Sequence, residues 1–153
     1  MFSQARTKAT TSSSIQKGAV GATGDALLIA QAHKVVQDYL LLLDGDDKFV
    51  LTQKFRAESK ASLGGTVYPN EYMKLDEFIV LRPNSQHPVN QTRIDVEPLA
   101  QPKQYVSELK YPTFVAHVHV AINVGQRRSE TIIFVFDELR NEYFVQLHII
   151  RDF

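Results

Sequence analysis

Three short runs close the chain and constrain its fold more than anything before them: residues 113–124 (TFVAHVHVAINV), 131–137 (TIIFVFD) and 143–153 (YFVQLHIIRDF). Each is rich in β-branched and aromatic residues and is separated from the next by a charged turn, which is the pattern of a β-meander. Strand alternation sends Phe114, Ala116, Val118, Val120, Ile122 and Val124 to one face and Val115, His117, His119, Ala121 and Asn123 to the other. The first face is wholly apolar and requires a covering layer.

The middle run is apolar on both sides, with Ile132, Phe134 and Phe136 opposed to Ile133 and Val135. In the last run Tyr143, Val145, Leu147 and Ile149 oppose Phe144, Gln146, His148 and Ile150. Alternation therefore predicts one dry face and one mixed face, where Ile133, Val135 and Ile150 lie among His117, His119, Gln146 and His148. A free antiparallel sheet shows water a mostly polar second face, so a mixed one points to cover by another protein. Three histidines on one face also suggest zinc, yet no cysteine or nearby carboxylate supplies a fourth ligand.

The covering layer is legible upstream. Leu28, Ala32, Val35, Tyr39 and Leu42 recur at helical spacing, widened by Val36, Leu40 and Leu43, and predict an amphipathic helix over 25–43. Gly45 reads as its left-handed cap, and Asp46 or Asp47 as the cap of a second short helix through Phe49, Val50 and Phe55. A calcium loop starting at Asp44 fails, because its later positions fall on Lys48, Val50 and Phe55. Residues 57–63 read as a strand ended by Gly64 and Gly65, a pair without the Lys-Ser/Thr of a phosphate loop. Tyr72, Leu75, Phe78 and Ile79 then mark a helix stopped at Arg82-Pro83-Asn84. Pro88, Pro98, Pro102 and Pro112 restrict residues 85–112 to an irregular edge strand over 89–96 and a surface insertion over 99–111.

At 153 residues and 44% hydrophobic content, the chain suits one domain, taken as 25–153, after a flexible tail at 1–24. That tail holds Arg6, Lys8 and Lys17 and no acid, so a mitochondrial presequence is its rival reading. Basic and acidic residues number 17 each, which argues against a broad field for nucleic acid or anionic membrane, and no apolar run reaches the roughly 20 residues of a membrane span. The absence of cysteine excludes disulfides and thiol catalysis. No serine sits in a nucleophile elbow, which leaves a lone acid or base in the core, such as Tyr39 with Asp76 or Asp95, as the catalytic option. The residues themselves call for no cofactor and no metal.

The order helix, short helix, strand, turn, helix, irregular strand and three-strand meander resembles the nuclear-transport-factor-2-like superfamily. Local matches are Tyr39-Leu40 followed by Leu43-Asp44-Gly45-Asp46, then Gln86-His87-Pro88-Val89, Asp95-Val96-Glu97-Pro98, and the hydrophobic ending at 145–153. The resemblance covers roughly residues 25–153 and implies an α+β cone, a curved, mostly antiparallel sheet wrapped around a long N-terminal helix. His87 and Asp95 stand further apart than in the namesake, and tryptophan is absent. Within the superfamily, Ser85-Gln86-His87-Pro88-Val89, the insertion and the tail are most similar to the small subunit of the heterodimeric mRNA export receptor. This implies a noncatalytic adaptor of nucleus, cytoplasm and nuclear pore that pairs sheet to sheet with a larger subunit having a similar domain, and touches Phe-Gly nucleoporins. Partner-contact residues are then His117, His119, Asn123, Ile133, Val135, Gln146, His148 and Arg151. The alternatives are a homodimer, a small SnoaL or ketosteroid-isomerase type enzyme on the same fold, and a mitochondrial assembly protein.

Overall fold

The computed structural model describes residues 20–68, 75–82, 87–99 and 113–152. Helix α1 (Val20–Asp44) buries Ala32, Val36, Tyr39, Leu40 and Leu43, the stripe whose three- and four-residue spacing marks it in the sequence. It starts inside the stretch read as tail, while residues 1–19 lie outside the described residues.

The end of α1 departs from expectation. Gly45 does not take a left-handed φ; its N–H meets the Leu42 carbonyl at 3.2 Å. The terminal carbonyls are held by Arg82 instead, whose Nε donates to Leu43 O at 2.6 Å, Nη2 to Gly45 O at 2.9 Å and Nη1 to Ile79 O. A guanidinium offers several N–H donors in a fixed fork, so one side chain satisfies what a glycine cap would have satisfied through the backbone. Arg82 comes directly after α3 (Leu75–Leu81), so the same contact ties the two helices together at their C-terminal ends. Between them, Asp47 caps α2 (Lys48–Thr52) by accepting from Val50 N–H at 3.1 Å. Phe55, expected in that helix, opens a strand.

The strands are β1 (Phe55–Leu63), β2 (Thr66–Tyr68), β3 (Thr92–Pro98, after a 3-10 turn at Val89–Gln91), β4 (Phe114–Asn123), β5 (Gln126–Asp137) and β6 (Glu142–Asp152). They form one sheet in the order β2-β1-β6-β5-β4-β3, parallel at β1–β6 and antiparallel elsewhere. The architecture is α+β with a mixed sheet. Gly64 and Gly65, with φ of 57° and 95°, turn the chain into β2, a strand that the sequence pattern did not announce. β3 lies on the edge, as its prolines require. Most of the expected insertion, residues 100–112, and the first half of the expected third helix, 69–74, lie outside the described residues.

The helices cover one face of the sheet. Tyr39 meets Phe134, Phe55 and His148 edge-on at centroid distances of 5.6, 6.3 and 5.5 Å, and Phe78 meets Phe55 and His148 from α3. Phe114 stacks on Phe134 at 5.0 Å, and Tyr143 packs its edge against Phe114. Burial of each such ring contributes roughly 1.5–3 kcal/mol, so the aromatic layer supplies much of the stability.

Candidate interaction face and buried polar chain

One bulge decides which residues reach the outer face. Ile133 pairs with Leu147 and Phe134 with Val145, so Gln146 is an extra residue in β6. An inserted residue shifts the alternation of every residue after it. Val145 points inward, Gln146 and Leu147 outward, and His148 and Ile150 return to the interior, both at most 1% exposed. The assignment of His148 and Ile150 to the outer face is therefore corrected, and Leu147 and Ile149 stand there instead. His148 is no partner-contact residue, and the zinc set His117, His119 and His148 is split between opposite faces.

The other seven expected contacts differ in character. His117 and His119 are half-exposed beside the β3 edge, with Nε2 atoms 3.5 Å from Glu97 and 3.8 Å from Asp95. Partial burial, then the Arg93 guanidinium, holds the His119 pKa below its ordinary value. Ile133 and Val135 are half-buried, while Gln146 and Arg151 are exposed. Asn123 sits at the β4–β5 turn and donates to Gln126 at 2.8 Å. The register places Val115, itself 7% exposed, with Ile133 and Leu147 in one row across β4, β5 and β6, and His117, Thr131 and Ile149 in the row beside it. No Asp, Glu, Lys or Arg interrupts these two rows on the three strands. Charges flank them, as Arg93, Asp95 and Glu97 on β3 and Glu58 and Lys60 on β1.

The inner face holds what the sequence reading missed. Arg128 and Glu130 keep phase with Ile132 and Phe134 and are fully buried, because β5 starts at Gln126 rather than at Thr131. Glu130 Oε1 lies 2.6 Å from His148 Nε2, and its Oε2 lies 2.6 Å from His87 Nε2 and 3.0 Å from Arg128 Nε. His148 Nδ1 meets Tyr39 Oη at 2.7 Å, and His87 Nδ1 meets Asp44 Oδ1 at 2.8 Å. A chain Tyr39–His148–Glu130–His87–Asp44 thus runs between the helices and the sheet. Carrying the phase of Ile132 two steps back would have found Arg128 and Glu130; nothing local marks His87 as their partner.

The partners assign the protons. Glu130 is a carboxylate, so His148 Nε2 donates to it, and Tyr39 Oη and His148 Nδ1 share the next hydrogen bond. Burial disfavours a charged His87, but hydrogen bonds to Asp44 and Glu130 outweigh it and lift its pKa to about 9. Burial would likewise raise Glu130, yet the bonds from His148 and His87 hold it well below the carboxylate range. Burial, then the Glu130 charge, keeps Tyr39 protonated far above its ordinary value. Asp44, partly buried, and Glu130, fully buried, thus face His87 and Arg128, and such pairing is what makes charge in this interior tolerable.

The catalytic option takes a different form from the expected one. Asp76 and Asp95 are exposed and do not meet Tyr39, whose hydrogen-bond partner is His148. A recess between α1 and the start of β4, lined by Leu28, Ala32, Val96, Pro98, Phe114 and Tyr143 among others, holds about 20 Å³, room for roughly one water. None of the polar chain lines it. Among the described residues, no group of three or more His, Asp or Glu side chains is arranged to hold a metal ion.

Fold and site together define an α+β domain with its polar chain between helices and sheet and with the described helices packed on the other face from the outer rows. Among solved structures it is similar to an NTF2-like protein of unknown function from Methylobacillus flagellatus KT, with 12% identity over 90% of this chain and 96% of that one and a TM-score of 0.45. No protein-family model and no curated protein matches the sequence.

Proposed function

We propose that this protein is a noncatalytic pairing module whose outer sheet face binds another protein. The observation that carries the reading is the band of Val115, His117, Thr131, Ile133, Leu147 and Ile149, free of Asp, Glu, Lys and Arg and flanked on both sides by strands that carry them. An apolar centre depleted of charge inside a polar rim is the anatomy of a protein interface. The resemblance in its sequence motifs makes the partner a larger chain with a similar domain, paired sheet to sheet, and the process nucleocytoplasmic transport of mRNA at the nuclear pore. Contacts then come from His117, His119, Ile133, Val135, Gln146 and Arg151, to which the bulge adds Leu147 and Ile149. The enzyme alternative gains no support from the interior, where the acid–base groups are consumed by one another and have no described space for a substrate.

Affinity purification from cells with mass spectrometry, repeated with Ile133→Asp plus Ile149→Asp, tests the reading. The proposal expects one stoichiometric partner that the variant loses. A native chain that stays monodisperse and monomeric and retains no partner sinks it, and a concentration-dependent dimer of the pure chain replaces the larger subunit with a second copy.

A further inference from the structure

The helix layer carries a second unsatisfied surface, on the side of the molecule away from the sheet. Leu41, Phe49, Val80 and Leu81 are 71%, 73%, 62% and 56% exposed. Their orientation comes from helix geometry, since Leu41 lies two residues from both Tyr39 and Leu43, Phe49 two from Leu51, and Val80 two from Phe78, all of them fully buried. Two residues are about 200° of helical rotation, so each exposed side chain points away from the core that its neighbour enters. Arg82 joins the end of α3 to the end of α1 through Leu43 O and to the turn leading into α2 through Gly45 O. Single exposed leucines are ordinary; four large apolar side chains exposed on three helices that meet at one junction are more than that.

The surroundings of the patch are acidic. Asp38, Asp46, Asp47, Asp76 and Glu77 are exposed on the same helices and their joining turn. The exposed cations described there are Lys34, already held by Asp38 at 2.9 Å, and Lys48. This field repels an anionic membrane surface, and a two-fold contact with a second copy would set carboxylates against themselves. A cationic amphipathic helix satisfies both features at once, its apolar stripe covering the leucines and phenylalanine and its lysines or arginines reaching the carboxylates.

We propose that the outward face of α1, α2 and α3 is a docking surface for a basic amphipathic helical segment of another protein, independent of the sheet face. The test uses the full chain and a fluorescein-labelled 18-residue peptide of leucine and lysine at helical spacing, with a scrambled peptide of equal composition and a leucine–glutamate version, monitored by anisotropy. The amphipathic basic peptide is expected to bind at least about tenfold more tightly than either control, and Leu41→Ser plus Phe49→Ser to weaken it by roughly tenfold, the scale of two anchor side chains. Asp46→Asn with Asp76→Asn should flatten the salt dependence. Ile133→Asp on the sheet should leave binding unchanged, which separates this surface from the other. Equal binding of the scrambled peptide, or an unchanged affinity for the Leu41→Ser, Phe49→Ser protein with an intact circular dichroism spectrum, overturns the proposal.

Discussion

At the scale of single residues, the sealed polar chain sets the sharpest expectations. Tyr39→Phe removes the hydrogen-bond partner of His148 Nδ1 and leaves a buried ring nitrogen unpaired, at a cost of about 1–3 kcal/mol. Chemical denaturation should show it, and an unchanged midpoint would mean that His148 finds another donor. His87 gives a signed pH effect. Its pKa is raised from 6.5 to about 9 on folding, so its contribution is complete below pH 6.5 and is lost as pH rises through about 9. The span corresponds to roughly 3 kcal/mol. Unfolding free energies measured from pH 6 to pH 10 should fall over that window in the native chain and lose most of that slope in His87→Gln. For Glu130, whose folded value is depressed, linkage places the loss on the acid side, below its ordinary 4.5.

Among the elements, the helix stripe and the meander were legible because each repeats its signal: Val36, Tyr39, Leu40 and Leu43 keep helical spacing, and Ala116 to Val120 alternate apolar residues with histidines. What broke legibility was a single extra residue. Gln146 carries no chemical mark of a bulge, and alternation counted through it placed His148 and Ile150 on the wrong side. The start of β5 was hidden differently, since Arg128 and Glu130 look like turn residues until their partners, 43 residues away for His87 and Glu130, are known. The Arg82 cap likewise depends on a partner 39 residues distant, so the nearby Gly45 looked like the stop. Deleting Gln146 makes the element-scale test. It should drive His148 outward, strip Glu130 of a donor and abolish cooperative thermal unfolding, whereas Gln146→Ala keeps the bulge and should melt within a few degrees of the native chain. Ser59 patches a second irregularity: it accepts from Arg56 N–H and donates to Val145 O where the β1–β6 register shifts. Ser59→Ala is expected to cost about 1–3 kcal/mol by leaving both groups unmet.

For the molecule as a whole, the proposal sets stability and function on opposite sides of one sheet. The inner face commits its side chains to aromatic packing and the polar chain, while the outer face carries the half-buried Ile133, Leu147 and Ile149 beside the buried Val115. Ile133→Asp with Ile149→Asp should therefore lower the unfolding free energy by no more than about 1–3 kcal/mol, the usual scale of single substitutions, while abolishing partner pairing in a pull-down. Collapse of the fold in that variant would move both residues from the interface to the core. The strand order also governs synthesis. Ser59 on β1 bonds a carbonyl 86 residues later on β6, and β6 lies between β1 and β5 in the sheet. Until β6 emerges from the ribosome, a nascent chain thus has a sheet with its centre missing, β2 and β1 on one side and β5, β4 and β3 on the other. Until then Phe55, Phe134 and their neighbours lack the strand that joins them, so apolar surface stays open to water longest where the finished sheet buries it most deeply.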